Sequence, residues 1–321
     1  MEKLRRYAPV LISTLCRYKH LKQCIESLRE NPVAKYTHIY ISVDYPPSQK
    51  YFDGYDKVKA YVLNEINGFY KVTCFVQDKN LGIYGNERFL VNEAYKEYDR
   101  YIFTEDDNIF APSVLEYLNN GLDIFEKDQD IIAICAHGKK SNMNGSHGLY
   151  KMQSFSAYGF AMWKHKETEY MEKMNREYFQ SIIYGERFRK LFAQNILYIQ
   201  TLLSILLKKE KIYIQEGDKI AAHDLPISIY MLCEEKYAIY PRCLLARNNG
   251  YDGSGSNCKE RTVPHEVPID KSPNFYFEGK KLEIEKIEKK EKWFYLFYRI
   301  WYLFEITIFR FELKIKTRRL K

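Results

Sequence analysis

RYIFTEDDNIF, residues 100–110, is the stretch on which the reading of this chain turns. Tyr101, Ile102 and Phe103 form a short apolar run of the kind seen in a strand buried on both faces. Glu105, Asp106 and Asp107 follow at once. Adjacent like charges repel, so an ordered fold holds three of them best around something positive. Strand alternation carried through the triple predicts Glu105 and Asp107 on one side and Asp106 on the other. Two readings stand here. In one, the carboxylates share a hard divalent ion, Mn2+ or Mg2+, with water and phosphate oxygens. In the other they form a solvated acidic loop before the helix that Pro112 opens, where acids favour the helix N-terminus.

Upstream of this stretch, strand and helix patterns alternate. PVLIST (9–14), HIYISVD (38–44), KVTCFVQD (71–78) and RYIFTED (100–106) read as strands. Between them, residues 20–31, 55–66 and 86–98 carry apolar positions at helical spacing. This order predicts an α/β fold, a mostly parallel sheet with helices on both faces. Ligands of such sheets bind beyond the carboxyl ends of the strands. The residues expected on that rim are Thr14 to Arg17, Asp44, Asp78 to Gly82, and the acidic triple. Arg17 suits phosphates, Asp44 suits a base or ribose, and Asn80 and Gly82 suit a turn beside the nucleotide. Downstream, 131–138 reads as a further strand, 211–215 as a short strand and 221–236 as a helix, and no internal repeat is seen.

The bulk properties narrow the function. The chain has 321 residues, 46% hydrophobic and 16% aromatic, which supports a sizeable core and excludes global disorder. Its net charge is +8, yet Lys280 to Lys321 holds 13 Lys and Arg against 6 Glu, an excess of +7. The rest is close to neutral, which argues against a nucleic-acid partner. Cys16, Cys24, Cys74, Cys135, Cys233, Cys243 and Cys258 show no zinc spacing and read as reduced thiols of a cytosolic protein. The first residues read as a strand and not as a signal peptide, and no run is long enough for a membrane span.

The order of these features resembles the GT-A glycosyltransferases: an apolar strand followed by Arg17, an acid closing the second strand, the KNLGIYGN turn, and a strand ending in acids. The EDD form is most similar to inverting N-acetylglucosaminyltransferases and related bacterial polysaccharide transferases, and YAIYPRCLLARNNGYDGSGSNC (237–258) resembles a later segment of those bacterial enzymes. The resemblance covers roughly residues 8 to 260. It implies a GT-A (Rossmann-like) domain over 1–265, with a nucleotide-binding half at 8–110 and an acceptor half at 111–265. It also implies a metal-dependent, inverting transfer of a sugar from a nucleotide-sugar donor, a UDP-sugar in the first instance, to a surface-glycan or lipid-linked acceptor.

Carried over by residue, the resemblance makes Asp107 the metal ligand, with Glu105 and Asp106 supporting the nucleotide sugar. Arg17 contacts the nucleotide, and Asp44 the uridine or ribose. Asp224 takes the place of the catalytic base, although Leu225 stands where the family has tryptophan. Asp224 also reads as a helix cap. His223 and His265 are candidate late ligands, more simply structural. Tyr158, Gly159, Phe160 and Trp163 are an acceptor platform or core. The 253–255 loop is a lid or a plain surface loop.

Residues 266–321 stand apart as a basic, aromatic segment. Lys292, Arg299, Arg310 and Lys314 fall near one line of a helical wheel. That pattern favours an in-plane amphipathic helix on the inner face of the cytoplasmic membrane. A final strand, and docking on the catalytic domain or on a second subunit, are the competing readings, so a homo-oligomer stays open. The alternative function is a non-catalytic, membrane-associated glycan-binding or assembly protein on a transferase scaffold. Nucleotidyl transfer to a sugar phosphate ranks below both, because LISTLCRYKH contains no glycine.

Overall fold

The computed structural model describes residues 7–138, 148–207, 219–221, 224–254, 269, 282–284 and 294–319. The strand expected at 211–215, together with His223, Gly255, Cys258 and His265, lies outside these residues. The chain forms two compact units. The first comprises Met1–Lys151, Ser156–Glu167 and Ala238–Ile284, and the second Met152–Phe155, Thr168–Tyr237 and Glu285–Lys321. The units interleave along the sequence, where the expected segments were consecutive, because the chain returns to the sheet after residue 237.

The fold is α/β, as the sequence predicts. Its strands are β1 (Val10–Thr14), β2 (His38–Val43), β3 (Lys71–Val76), β4 (Arg100–Glu105), β5 (Asn108–Phe110), β6 (Ile131–Cys135), β7 (Leu149–Met152), β8 (Phe160–Trp163), β9 (Tyr237–Pro241), β10 (Ala246–Asn248) and β11 (Glu283–Ile284). Among the described residues, nine of them form one sheet in the order β11-β7-β9-β6-β8-β4-β1-β2-β3, and β10 pairs with β5 separately. β1 runs parallel to both β2 and β4, and β2 parallel to β3. β8 runs antiparallel to β4 and β6. SFSAYGFAMWK thus supplies a sheet strand, and Phe160 and Trp163 are core residues, 3% and 1% exposed.

In the first unit α1 (Tyr18–Arg29), α2 (Phe52–Asn64), α3 (Gly82–Ala94) and α4 (Val114–Ile124) connect the strands. The VLIST of β1 is buried almost throughout, as expected of a central parallel strand, whereas β3 at the sheet's edge is half-buried. The chain after α4 turns into β6 around Lys166, which belongs to α5 (Lys164–Lys173). Its Nζ donates to the carbonyls of Phe125, Asp128 and Ile131 at 2.8, 2.8 and 2.7 Å. A single ammonium thereby ties together three carbonyls of this bend, two of which, Phe125 and Asp128, also accept the amides of Asp128 and Ile131.

The second unit is helical: α6 (Arg176–Ile182), α7 (Gly185–Gln194), α8 (Ile196–Leu206), α9 (Asp224–Cys233) and α10 (Phe294–Arg319). Half-buried Glu234 gathers Lys173, Tyr178 and Arg187 at 2.8, 3.1 and 3.0 Å. Burial works against its charge, but these partners hold its pKa below the ordinary glutamate value. Phe294–Arg319 is a helix, so the strand reading of FRFELKIK is corrected. Its charges and rings repeat at helical spacing over 26 residues, and α8 gives one face a surface to pack on.

Lys166→Met keeps the side-chain length and removes the donor. It is expected to lower stability by about 1–3 kcal/mol, the cost of losing the charged donor's hydrogen bonds to this bend. Urea unfolding measures this, and an unchanged midpoint would show that the bend does not need the ammonium.

Candidate functional site

The strand order places β1 between β2 and β4, so the chain reverses direction across the sheet at the β1/β4 boundary. The crevice at the carboxyl ends of these two strands is where open α/β sheets bind ligands. Thr14 ends β1, Arg17 precedes α1, and the acidic triple follows β4.

Strand alternation does not extend through the triple. Glu105 is the last residue of β4, and Asp106 and Asp107 form a turn before β5. Both turn side chains therefore reach the same cation, and that cation is Arg17. Its Nη1 donates to Asp107 Oδ2 at 2.7 Å and its Nη2 to Asp106 Oδ1. Thr14 Oγ1 donates to the other Asp106 oxygen at 2.6 Å. Asp106 and Asp107 are 2% and 6% exposed, so the solvated-loop reading fails for them. Burial opposes the charge on Arg17, but the two acids raise its pKa further, and it stays a guanidinium. Burial pushes the Asp106 carboxyl up against the opposing pull of Arg17, and Asp107 adds to the rise.

Asp107 is also held from a distant part of the chain, which the sequence reading did not assign. Antiparallel pairing of β10 with β5 sets Asn248 opposite Asn108. Asn248 Nδ2 donates to Asp107 Oδ1 at 2.7 Å, and the Asn249 amide donates to the Asp107 carbonyl at 2.8 Å. A Cβ on Gly250 would lie 2.2 Å from Asp107 Oδ2, so only glycine lets the chain pass the carboxylate. The available signal was Asn-Asn-Gly, a turn sequence, directly after a strand.

The next residues continue along the same rim. Tyr251 shares a hydroxyl hydrogen bond of 2.6 Å with Tyr158, whose ring meets His137 edge-on at 5.1 Å. His137 Nδ1 donates to the Ala246 carbonyl at 2.9 Å, which leaves Nε2 as the acceptor nitrogen. Burial lowers the His137 pKa, so the imidazole is neutral at neutral pH. Asp252 lies 3.2 Å from His20 Nε2 on α1. Of the expected platform, Tyr158 alone is placed on this rim.

Asp44, Asn80 and Gly82 form a second cluster, with a different role from the one expected. Asp44 Oδ1 accepts the amides of Tyr45 and Leu81 at 2.9 and 2.8 Å. Its Oδ2 accepts the Gly82 amide at 2.9 Å and Asn80 Nδ2 at 3.1 Å. All four acceptor positions are thus in use on the protein itself, which leaves none for a base or ribose. Burial raises the Asp44 pKa, and these amides counter the rise. Asp44 caps α3 across space, and this explains why the helix starts at Gly82 rather than at residue 86. Gly82 takes a φ of +71° there.

Asp224 belongs to the second unit. It is the first residue of α9, and its carbonyl accepts Ser228 Oγ at 2.6 Å.

A divalent ion fits this set in one way. Among the described residues no three His, Cys, Asp or Glu side chains converge as a closed cage. Both Asp106 oxygens are engaged and the residue is buried. Each Asp107 oxygen makes one side-chain hydrogen bond, Oδ2 with Arg17 and Oδ1 with Asn248, and keeps a lone-pair direction. One carboxylate completed by water and phosphate oxygens is a usual Mg2+ environment, and Asp107 is the residue of this set that could supply that carboxylate.

No family model and no curated protein matches this sequence. Solved structures share its general architecture. The Staphylococcus aureus TarS structure aligns at 17% identity over 44% of this chain and 23% of that one, with a TM-score of 0.31. TarS 1–349 in complex with UDP aligns at 15% over 73% and 60%, at 0.34. Mouse xyloside xylosyltransferase 1, in its apo form, aligns at 10% over 55% and 74%, at 0.35. The chain thus spans about a quarter of the first of these. At such scores the likeness is one of α/β layout, and no chemistry rests on it.

Gly250→Ala is expected to cost about 1–3 kcal/mol through overpacking against Asp107. In a double-mutant cycle with Asp107→Ala, urea unfolding should give a coupling of about 1 kcal/mol or more, because the second change removes the obstacle. Gly82→Ala, strained by its own φ, should add to Asp107→Ala without coupling. Additivity at Gly250 would show that the carboxylate moves aside freely.

Proposed function

We propose that this protein transfers a sugar from a nucleotide-sugar donor, a UDP-sugar in the first instance, to a glycan or lipid-linked acceptor. One observation carries the reading: Arg17, Asp106 and Asp107 meet at the switch point of the sheet, where a diphosphate would lie. Arg17 has five N–H donors, uses two atoms of its fork on the acids, and is 18% exposed. Its remaining donors can take phosphate oxygens while Asp106 and Thr14 keep the fork oriented. Asp107, aimed by Asn248 and the Asn249 amide, would hold Mn2+ or Mg2+. When bound, the ion neutralises charge on the departing nucleoside diphosphate.

Asp44 serves this site indirectly. By capping α3 it sets the 80–82 turn, and Asn80 Nδ2 also reaches the Tyr45 carbonyl at 2.6 Å, so β2 and the turn form one wall. Glu105 supports the donor from the end of β4. In an inverting transfer a carboxylate takes the proton from the attacking acceptor hydroxyl, and we assign this to Asp224. Only one such group is needed, since a nucleoside diphosphate leaves without protonation.

Calorimetry with UDP, GDP and CDP, each with and without Mn2+, tests the site. One nucleotide is expected to bind in a metal-dependent way. Asp107→Asn should abolish the metal dependence, and Arg17→Ala should weaken binding about tenfold or more, as loss of charge-assisted phosphate contacts does. Asp224→Asn should leave nucleotide affinity nearly unchanged and lower donor turnover by about 10²–10⁴. Glycan binding indifferent to both Asp107 and Asp224, with no nucleotide bound, would establish the scaffold alternative instead.

A further inference from the structure

α10 carries two apolar faces, and its own unit covers one of them. Ile306 and Phe309 are buried, at 0% and 7% exposure. On that side Arg299 stacks over Phe192 at 5.2 Å, and Arg310 over Phe188 and Tyr184 at 4.9 and 5.4 Å. Arg310 also donates to the Ile183 carbonyl. The basic line that the sequence pattern assigned to lipid headgroups therefore faces protein, at least at these two positions.

The other face is bare. Ile300, Trp301, Phe304, Ile308 and Phe311 are 61%, 51%, 58%, 44% and 65% exposed. At helical spacing they fall within an arc of about 100°. From Phe294 to Thr317 no charged residue occupies that arc. Leaving such a stripe in water is costly, so something covers it.

We propose that this stripe seats the protein in the plane of an anionic lipid surface. Charge decides between the candidate occupants. The stripe lies in a segment with an excess of +7, while the remainder of the chain is near neutral. A second copy meeting the same face would bring this excess against itself, whereas an anionic surface neutralises it. The ring content agrees, because Trp and Phe favour the boundary between headgroups and acyl chains. No described helix is long and apolar enough to cross a membrane, so the helix lies flat. Inward-facing Arg299 and Arg310 keep charge out of the inserted side. This surface is independent of the transfer reading.

The full chain should co-sediment with vesicles of phosphatidylcholine mixed with phosphatidylglycerol, and far less with phosphatidylcholine alone. Added salt should weaken the binding, and the tryptophan emission should shift to the blue. Trp301→Ser combined with Phe304→Ser should lower the partition coefficient on the order of tenfold or more, with unchanged circular dichroism. If that variant fails to fold, Phe311→Ser alone provides the same test in the same direction. Equal binding by a folded variant would overturn the proposal. So would absence of vesicle binding accompanied by a dimer in light scattering that the variant loses, since that result assigns the stripe to a second copy.

Discussion

Two neighbouring carboxylates, both nearly excluded from water, cannot be held in one turn without a cation between them. The guanidinium of Arg17 meets this need, and much of the first unit's geometry follows from it. At short range in a poorly solvated site Asp106 and Asp107 repel one another, and one planar fork offsets the repulsion for both at once. Arg17 stands three residues beyond β1, and the acids directly follow β4. The ion pairs therefore join the carboxyl ends of two adjacent parallel strands, at the point where the strand order reverses.

This arrangement leaves the two acids unequal. Asp106, with Thr14 and Arg17 on its oxygens, is a fixed anchor. Asp107 is shared between Arg17 and the 248–250 turn and keeps acceptor capacity. A site built in this way is oriented before any ligand arrives, which is what electrostatic stabilisation of a leaving diphosphate requires. The same economy appears at Asp44, which spends its whole carboxylate on backbone and amide donors so that a turn and a helix start where they do.

Much of the fold was legible in the chain. Central strands such as VLIST and HIYISV are mostly apolar and almost wholly buried because both faces are covered, and each is followed by a helical pattern. Boundaries were legible only where their causes are local. The start of α3 was misplaced because its cap comes from Asp44, 38 residues earlier in sequence, and no neighbouring residue signals it. The site was legible in part for the same reason. Arg17, Asp106 and Asp107 were marked by charge and position, but their mutual pairing spans 89 and 90 residues. Asn248 and Gly250 drew no assignment of their own within the 237–258 segment, because Asp107, which they touch, lies 141 residues from Asn248 in the chain.

The sequence by itself determined the α/β class, the rim of strand ends, the residues that gather there, and the concentration of charge and aromatic rings in the last segment. These are properties of composition and local period, which burial and hydrogen bonding read residue by residue. Tertiary structure alone decided which cation the acids hold in the protein itself, which carboxylate is spent and which retains capacity, and which face of α10 is turned outward. Each of these depends on where a distant chain segment comes to rest, and periodicity along the sequence carries no record of that.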